Sequence, residues 1–217
     1  MPHFVSKESN FIITSSFKCG YSIFHRNDNF IKISSRELLE YKKKRNNYHY
    51  MVCRNPYNRV ESLFKDKFRK LPMKDDFRMQ DFHKKIKDKL NLNLVEFKQF
   101  LLSVNFEQFV LDILPKIINL DLHSRPQIHS KRFYYFEKIR FIKKLRIYRS
   151  FSNLVLIKLE SDLDELSSLT GINLQTKINS SQKYNDEIYW NDQMLEKVNS
   201  LYRNDFNFFS YDKNTLK

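Results

Sequence analysis

Three polar stretches of this chain carry residue types that could grip an anion and take up a proton. Arg54-Asn55-Pro56 interrupts a run of strand formers, Tyr48 to Cys53. It gives way to Val60, Leu63, Phe64 and Phe68 at helical spacing. Pro56 pushes Asn55 out of the helical region and suits a helix start. The stretch therefore predicts strand, turn and helix, with Arg54 at the carboxyl end of the strand and Ser62 on the early part of the helix. A guanidinium and a hydroxyl near helix-terminal N–H groups can hold a phosphate. A capped helix with a surface arginine accounts for the same residues.

The second stretch is Ser15-Ser16-Phe17-Lys18-Cys19-Gly20-Tyr21-Ser22. It follows Phe11 to Thr14, a continuous apolar run of the kind that forms buried parallel strands. A helix start at Ile23 and Phe24 comes next. Converging backbone N–H groups, with a lysine adding charge, make a phosphate cradle. The spacing is not G-x-x-x-x-G-K-[ST], which separates it from the usual triphosphate loop. The third stretch, Asp121-Leu122-His123-Ser124-Arg125-Pro126-Gln127, gathers a histidine, an arginine and a glutamine around a proline. Loops on a scaffold commonly hold function, and a polar connector with a solvent-facing His123 is the plainer alternative.

The elements that must position these stretches read as α/β. Asn153 to Leu159 predicts another parallel strand, followed by an acidic-first helix from Glu160 that Gly171 ends. Leu94, Phe97, Leu101 and Val104 predict an amphipathic helix. Phe106 to Leu120 predicts a second, ended or kinked by Pro115. Asp192 to Asn204 predicts a further helix with Leu195, Val198, Leu201 and Tyr202 facing the core. A central, mostly parallel sheet flanked by helices is expected, in one domain spanning residues 1–217, with about 69–130 a helical excursion.

Composition bounds the partners. A hydrophobic fraction of 41% and an aromatic fraction of 15% argue for a globular chain. Only 2 glycines leave no glycine-rich nucleotide loop and disfavour long hairpin arrays. The net charge of +14 favours anionic partners. Its basic residues are scattered, Lys42–Arg45 being the one dense run, so most read as a solvated face. Cys19 and Cys53 are too few for a disulfide framework or a metal cluster and read as small buried thiols. No apolar run reaches membrane-spanning length and no leader is apparent, so a soluble, cytoplasmic protein without a metal is expected.

Taken together, these pieces resemble the sulfotransferases that use 3′-phosphoadenosine 5′-phosphosulfate (PAPS), in their carbohydrate sulfotransferase branch. That family leads a strand into a P-K-x-[GA]-x-[ST]-type loop. Here it reads Phe17-Lys18-Cys19-Gly20-Tyr21-Ser22, with Phe17 in place of the proline. The R-[DN]-P-x-x-R-x-x-S signature is matched by Arg54-Asn55-Pro56-Tyr57-Asn58-Arg59-Val60-Glu61-Ser62. Asp121 to Gln127 is similar to the branch's D-x-H-x-x-P-Q segment, Ile157 to Glu160 to its last-strand motif, and Leu201 to Tyr211 to its terminus. The likeness runs from Phe11 to Tyr211, least matched between Arg69 and Leu120.

The resemblance implies a P-loop-like three-layer fold with the 69–130 excursion on the acceptor side. It implies sulfuryl transfer from PAPS to a hydroxyl, most often of a glycan, leaving 3′-phosphoadenosine 5′-phosphate (PAP) and needing no metal. Ser16, Phe17, Lys18, Cys19, Gly20, Tyr21 and Ser22 would hold the 5′-phosphosulfate, with Lys18 stabilising charge on the bridging oxygen. Arg54 and Ser62 would hold the 3′-phosphate. His123 would be the general base and Arg125 and Gln127 would meet the acceptor, with Glu160 a weaker candidate for the base. No nucleic-acid partner and no membrane span belong to this reading, and the oligomeric state is open. A P-loop-like kinase or NTPase, and a non-catalytic protein that binds nucleotide or nucleic acid, are the rivals. The latter is prompted by the charge and by 20 Phe and 12 Tyr.

Overall fold

The computed structural model describes residues 2–7, 11–43, 48–70, 79–128, 154–174 and 188–214. The chain divides into two compact units, Met1–Asn55 with Gln127–Asn179, and Pro56–Pro126 with Ser180–Lys217. Among the described residues the strands are β1 (His3–Ser6), β2 (Phe11–Ser15), β3 (Phe30–Ile33), β4 (Tyr48–Cys53) and β5 (Leu154–Lys158). The helices are α1 (Tyr21–His25), α2 (Ser35–Lys43), α3 (Pro56–Phe64), α4 (Asp81–Lys89), α5 (Leu94–Ser103), α6 (Phe106–Gln108), α7 (Leu114–Ile117), α8 (Leu163–Thr170), α9 (Asp192–Leu201) and α10 (Arg203–Phe209). A π-helical turn, Lys65–Lys70, extends α3, and another, Phe109–Ile113, joins α6 to α7.

The first unit is α/β. Its five strands form one mixed sheet in the order β3-β1-β2-β4-β5. β2 pairs parallel with β4, and β4 with β5, as the apolar runs predict. The expectation of a mostly parallel sheet is corrected, because β1 pairs antiparallel with both β2 and β3. For β1 and β2 the reason is chain length. Four residues separate Ser6 from Phe11, enough for a hairpin return but not for the crossover that a parallel pair needs.

Burial on both faces explains why β2 reads as an unbroken apolar run. Phe4, Phe11, Ile13, Tyr50, Val52 and Ile157 pack with Phe24 of α1 and Leu166 of α8. Val5, Ile12 and Ile33, pointing the other way, pack with Leu38 of α2. That second face also holds a polar seam across three strands. The Thr14 hydroxyl lies 2.8 Å from Nδ1 of His3 and 2.7 Å from Nε2 of His49, all three buried. These two bonds lower the desolvation penalty of polar side chains held under the sheet. Gly171 ends α8 in the left-handed conformation, φ 68°.

The second unit is helical among the described residues. Phe64 and Phe68 meet Phe109 at ring-centroid distances of 5.3 and 4.8 Å, and Phe97, Leu101, Val198, Tyr202 and Phe206 close the core around them. Asn93 caps α5 by accepting from the N–H groups of Val95 and Glu96. The predicted apolar face of α5 holds for Phe97, Leu101 and Val104, whereas Leu94, next to the cap, is exposed. Val198 and Tyr202 are buried as predicted, with Met194 joining them and Leu195 and Leu201 only half-buried. Buried Arg69 answers the carboxyl end of α5, donating from Nη1 to the Leu101 carbonyl at 3.0 Å with its guanidinium over the Phe64 ring.

No described helix is long and apolar enough to cross a membrane. The side chains of the Lys42–Arg45 run, residues 71–78 of the charged excursion and Asn153 of the predicted strand lie outside the described residues.

Candidate functional site

β2 and β4 are adjacent, parallel and in register from Phe11↔Tyr48 to Ser15↔Val52. The segments leaving their carboxyl ends therefore emerge side by side, where open α/β sheets hold ligands. After β2 the chain folds back on itself. The Ser15 hydroxyl donates to the Cys19 carbonyl at 2.6 Å, and the Cys19 N–H to the Ser16 carbonyl at 3.1 Å. Lys18 and Gly20 both take left-handed backbone conformations, φ 69° and φ 77°. α1 follows directly, two residues earlier than predicted. The Phe17 ring, where the resemblance has proline, lies 6.0 Å from the Tyr21 ring.

Gly20 is required twice over, by its positive φ and by its neighbour: a Cβ there would come within 3.0 Å of Leu159 Cδ1. Gly20→Ala is expected to lower stability by about 1–2 kcal/mol, read as a reduced urea midpoint. An unchanged midpoint would mean that the loop adopts another backbone conformation.

Arg54 leaves β4 towards this loop. Its Nη1 donates to the Lys18 carbonyl at 3.1 Å, and its Nε lies 3.8 Å from Oε1 of Glu160. The same carboxylate oxygen accepts the Asn55 N–H at 3.0 Å, so the residue after β5 anchors the turn after β4. Gln127 ties the two loops together. Its Oε1 accepts from the Cys19 thiol at 2.8 Å and the Arg54 N–H at 2.9 Å, and its Nε2 donates to the Arg54 carbonyl at 2.7 Å.

Gln127, which the resemblance puts at the acceptor, is buried with both lone pairs of its carbonyl oxygen taken. An acceptor could claim that oxygen only by displacing one of these bonds. Gln127→Leu strands the Arg54 backbone groups, each such loss costing about 1–3 kcal/mol. Chemical denaturation is expected to show about 2–4 kcal/mol of lost stability. A change below about 0.5 kcal/mol would show that solvent replaces these bonds freely.

In the second unit the segment 119–126 is pinned from several helices. The buried guanidinium of Arg59, on α3, donates from Nη2 to the carbonyls of Leu122 and His123 at 3.2 and 3.0 Å. The Tyr202 hydroxyl donates to the Ser124 carbonyl at 2.6 Å, and burial pushes its ionisation well above the usual phenol range. The Ser124 hydroxyl donates to the Ile117 carbonyl at 2.7 Å. On this frame His123 turns its Nδ1 to Oδ1 of Asp121 at 2.5 Å, while Lys85 of α4 donates to Oδ2 at 2.9 Å.

Burial acts to raise the Asp121 pKa. The hydrogen bonds from the His123 side chain and backbone, and from Lys85, outweigh it and hold the carboxyl well below its ordinary value of 3.8. A depressed folded-state pKa stabilises the fold above the ordinary value, and that stabilisation is lost as pH falls through the folded value. The second unit should therefore lose stability below about pH 4, and Asp121→Asn should flatten this acid limb in equilibrium unfolding at several pH values. An identical limb in the variant would exclude Asp121 as its source.

The structure thus brings Lys18, Cys19, Arg54 and Gln127 together in the first unit. Asp121 and His123 form a pair in the second. Arg125 donates from Nη2 to the Asn119 carbonyl at 2.9 Å, and Ser62 lies half-buried on the second turn of α3. Sequence reasoning assigned no part to Lys85, and none to Arg59 beyond its place in the motif. The i, i+3 spacing of Pro56 and Arg59 places Arg59 near the start of α3, but nothing in it says which carbonyls the side chain meets. Among the described residues no group of three or more His, Cys, Asp or Glu is placed to hold a metal ion. Compared with known proteins, the chain matches no family model, no curated protein and no solved structure.

Proposed function

We propose that the chain is a PAPS-dependent sulfotransferase with a P-loop-like three-layer fold, moving a sulfuryl group to an acceptor hydroxyl, most often that of a carbohydrate. The observation that carries the reading is the bond from the Arg54 guanidinium to the Lys18 carbonyl. Two loops picked out separately as anion-binding meet at the carboxyl ends of neighbouring parallel strands, as a clasp for a nucleotide with phosphates at both ends requires. The left-handed backbone of Lys18 adds to it, since a non-glycine residue held there is strained by about 1–2 kcal/mol and such strain gathers at ligand sites.

Sulfuryl transfer asks for in-line positioning and for stabilisation of charge on the leaving phosphate. Lys18 supplies that charge, with Ser22 and the N–H groups around Cys19 to Ile23 binding the 5′-phosphate. Arg54 takes the 3′-phosphate, which ATP lacks, and the resemblance adds Ser62. His123 receives the proton of the acceptor hydroxyl, imidazole being the side-chain base most often used for general base catalysis. Arg125 is left for an acidic group on the acceptor. Incubation with sulfur-35-labelled PAPS and a panel of glycans, lipids and small alcohols tests this. Label should pass to a hydroxyl acceptor with release of PAP; release of PAP with label only in free sulfate, or no turnover with any acceptor, would contradict it.

A further inference from the structure

We propose that Asp121 is the positioning residue for His123: its carboxylate fixes the ring with the proton on Nδ1, and Lys85 holds the carboxylate in place. The assignment deepens the proposed function, on which its catalytic consequence rests, but its structural content stands within the second unit alone.

An ionised carboxylate only accepts hydrogen bonds. Oδ1 of Asp121 lies 2.5 Å from Nδ1 of His123 and 3.0 Å from the His123 backbone N–H. Nδ1 must therefore carry a hydrogen, and in the neutral ring the basic lone pair belongs to Nε2. Two bonds to one oxygen from the same residue fix the ring's rotation as well as its tautomer. The second oxygen is taken by Lys85 at 2.9 Å, so the carboxylate is held at both ends. The Phe82 ring, 5.7 Å from the imidazole, borders it on the α4 side. Arg59 holds the carbonyls of Leu122 and His123, which keeps the backbone from following a ring that turns.

The consequence for transfer is a directed proton. As the acceptor oxygen forms its bond to sulfur, the bond from sulfur to the bridging oxygen of PAPS breaks and its electron pair leaves with PAP. The hydroxyl proton passes to Nε2 of His123. The imidazolium so formed is paired with Asp121, and the carboxylate takes no proton itself. The pattern is the Asp–His half of a hydrolytic triad, here serving a different electrophile.

The test is a long-range ¹H–¹⁵N correlation spectrum of the ¹⁵N-labelled full chain at a pH where His123 is neutral, with the resonance assigned by its loss in His123→Gln. The wild-type ring is expected as the Nδ1–H tautomer, and Asp121→Ala is expected to move it towards Nε2–H. In a transfer assay Asp121→Ala should lower kcat by about 10- to 100-fold, with the KM for PAPS within about 2-fold. Lys85 is half-exposed, so Lys85→Met is a second variant suited to folding. It should retain the Nδ1–H tautomer while raising the titration midpoint of Asp121. A wild-type ring protonated on Nε2, or an Asp121→Ala ring still protonated on Nδ1, would overturn the assignment, and the wild-type spectrum decides even if Asp121→Ala does not fold. Failure to transfer sulfate to any acceptor counts against the proposed function and leaves the spectrum to judge Asp121.

Discussion

Replacing Arg54 with alanine is expected to weaken PAP binding by about 10- to 100-fold. A charge-assisted bond from guanidinium to phosphate is worth about 1.5–3 kcal/mol, and each 1.4 kcal/mol is a factor of ten in affinity. Two effects add in the same direction. The variant loses the cation proposed to meet the 3′-phosphate, and it loses the bond from Nη1 to the Lys18 carbonyl that steadies the neighbouring loop. Arg54→Lys separates them, because it keeps a charge but gives up the planar fork. Its affinity should fall between wild type and Arg54→Ala. Calorimetric titration of PAP into the three proteins measures this, and wild-type affinity in Arg54→Ala would remove Arg54 from the donor site.

The second large effect belongs to Lys18. Lys18→Ala is expected to lower kcat by about 100- to 1000-fold, the range seen when one stabiliser of a developing oxyanion is removed. PAP affinity should change much less, because charge on the bridging oxygen grows only as the bond to sulfur breaks. Binding energy that appears in the transition state and not in the ground state is lost from kcat. The substitution leaves one non-glycine residue in place of another at φ 69°, so the backbone penalty is shared by both proteins. Measuring kcat and KM for PAPS under saturating acceptor separates the two roles. A kcat within a few-fold of wild type would assign the charge stabilisation to another group.

What the sequence made legible follows from how local each signal is. β2, β4 and β5 announce themselves because strands buried on both faces are apolar over most of their length, and β2 and β4 are so buried. The loops after β2 and β4 are marked by Gly20 and Pro56, the one freed by lacking a Cβ to take a positive φ and the other fixed in φ by its ring. β1 and β3 left no such trace: each is four residues long and β3 alternates only as Phe-Ile-Lys-Ile. With β1 went the antiparallel half of the sheet, since pairing direction depends on the connection rather than on the strand.

The site was legible to the same degree. Lys18 and Arg54 stand at strand ends, where a pattern can place them. The part played by Gln127 could not be read, because it lies 73 positions along the chain from the Arg54 backbone it bonds. The resemblance gives Gln127 a place at the acceptor, while the carbonyl and N–H groups it bonds are known only from the fold. Lys85 was hidden for a related reason: among many lysines in a charged helix, only the position of Asp121 distinguishes it.

The clasp formed by the Lys18 and Arg54 loops is tested most directly by titrating PAP and ATP separately into the wild-type chain, each with and without Mg²⁺. Tighter binding of PAP than of ATP, unaffected by the metal, is predicted, because the role proposed for Arg54 is to meet a 3′-phosphate that ATP lacks. Preference for ATP with a requirement for Mg²⁺ would contradict it and point to phosphoryl transfer instead.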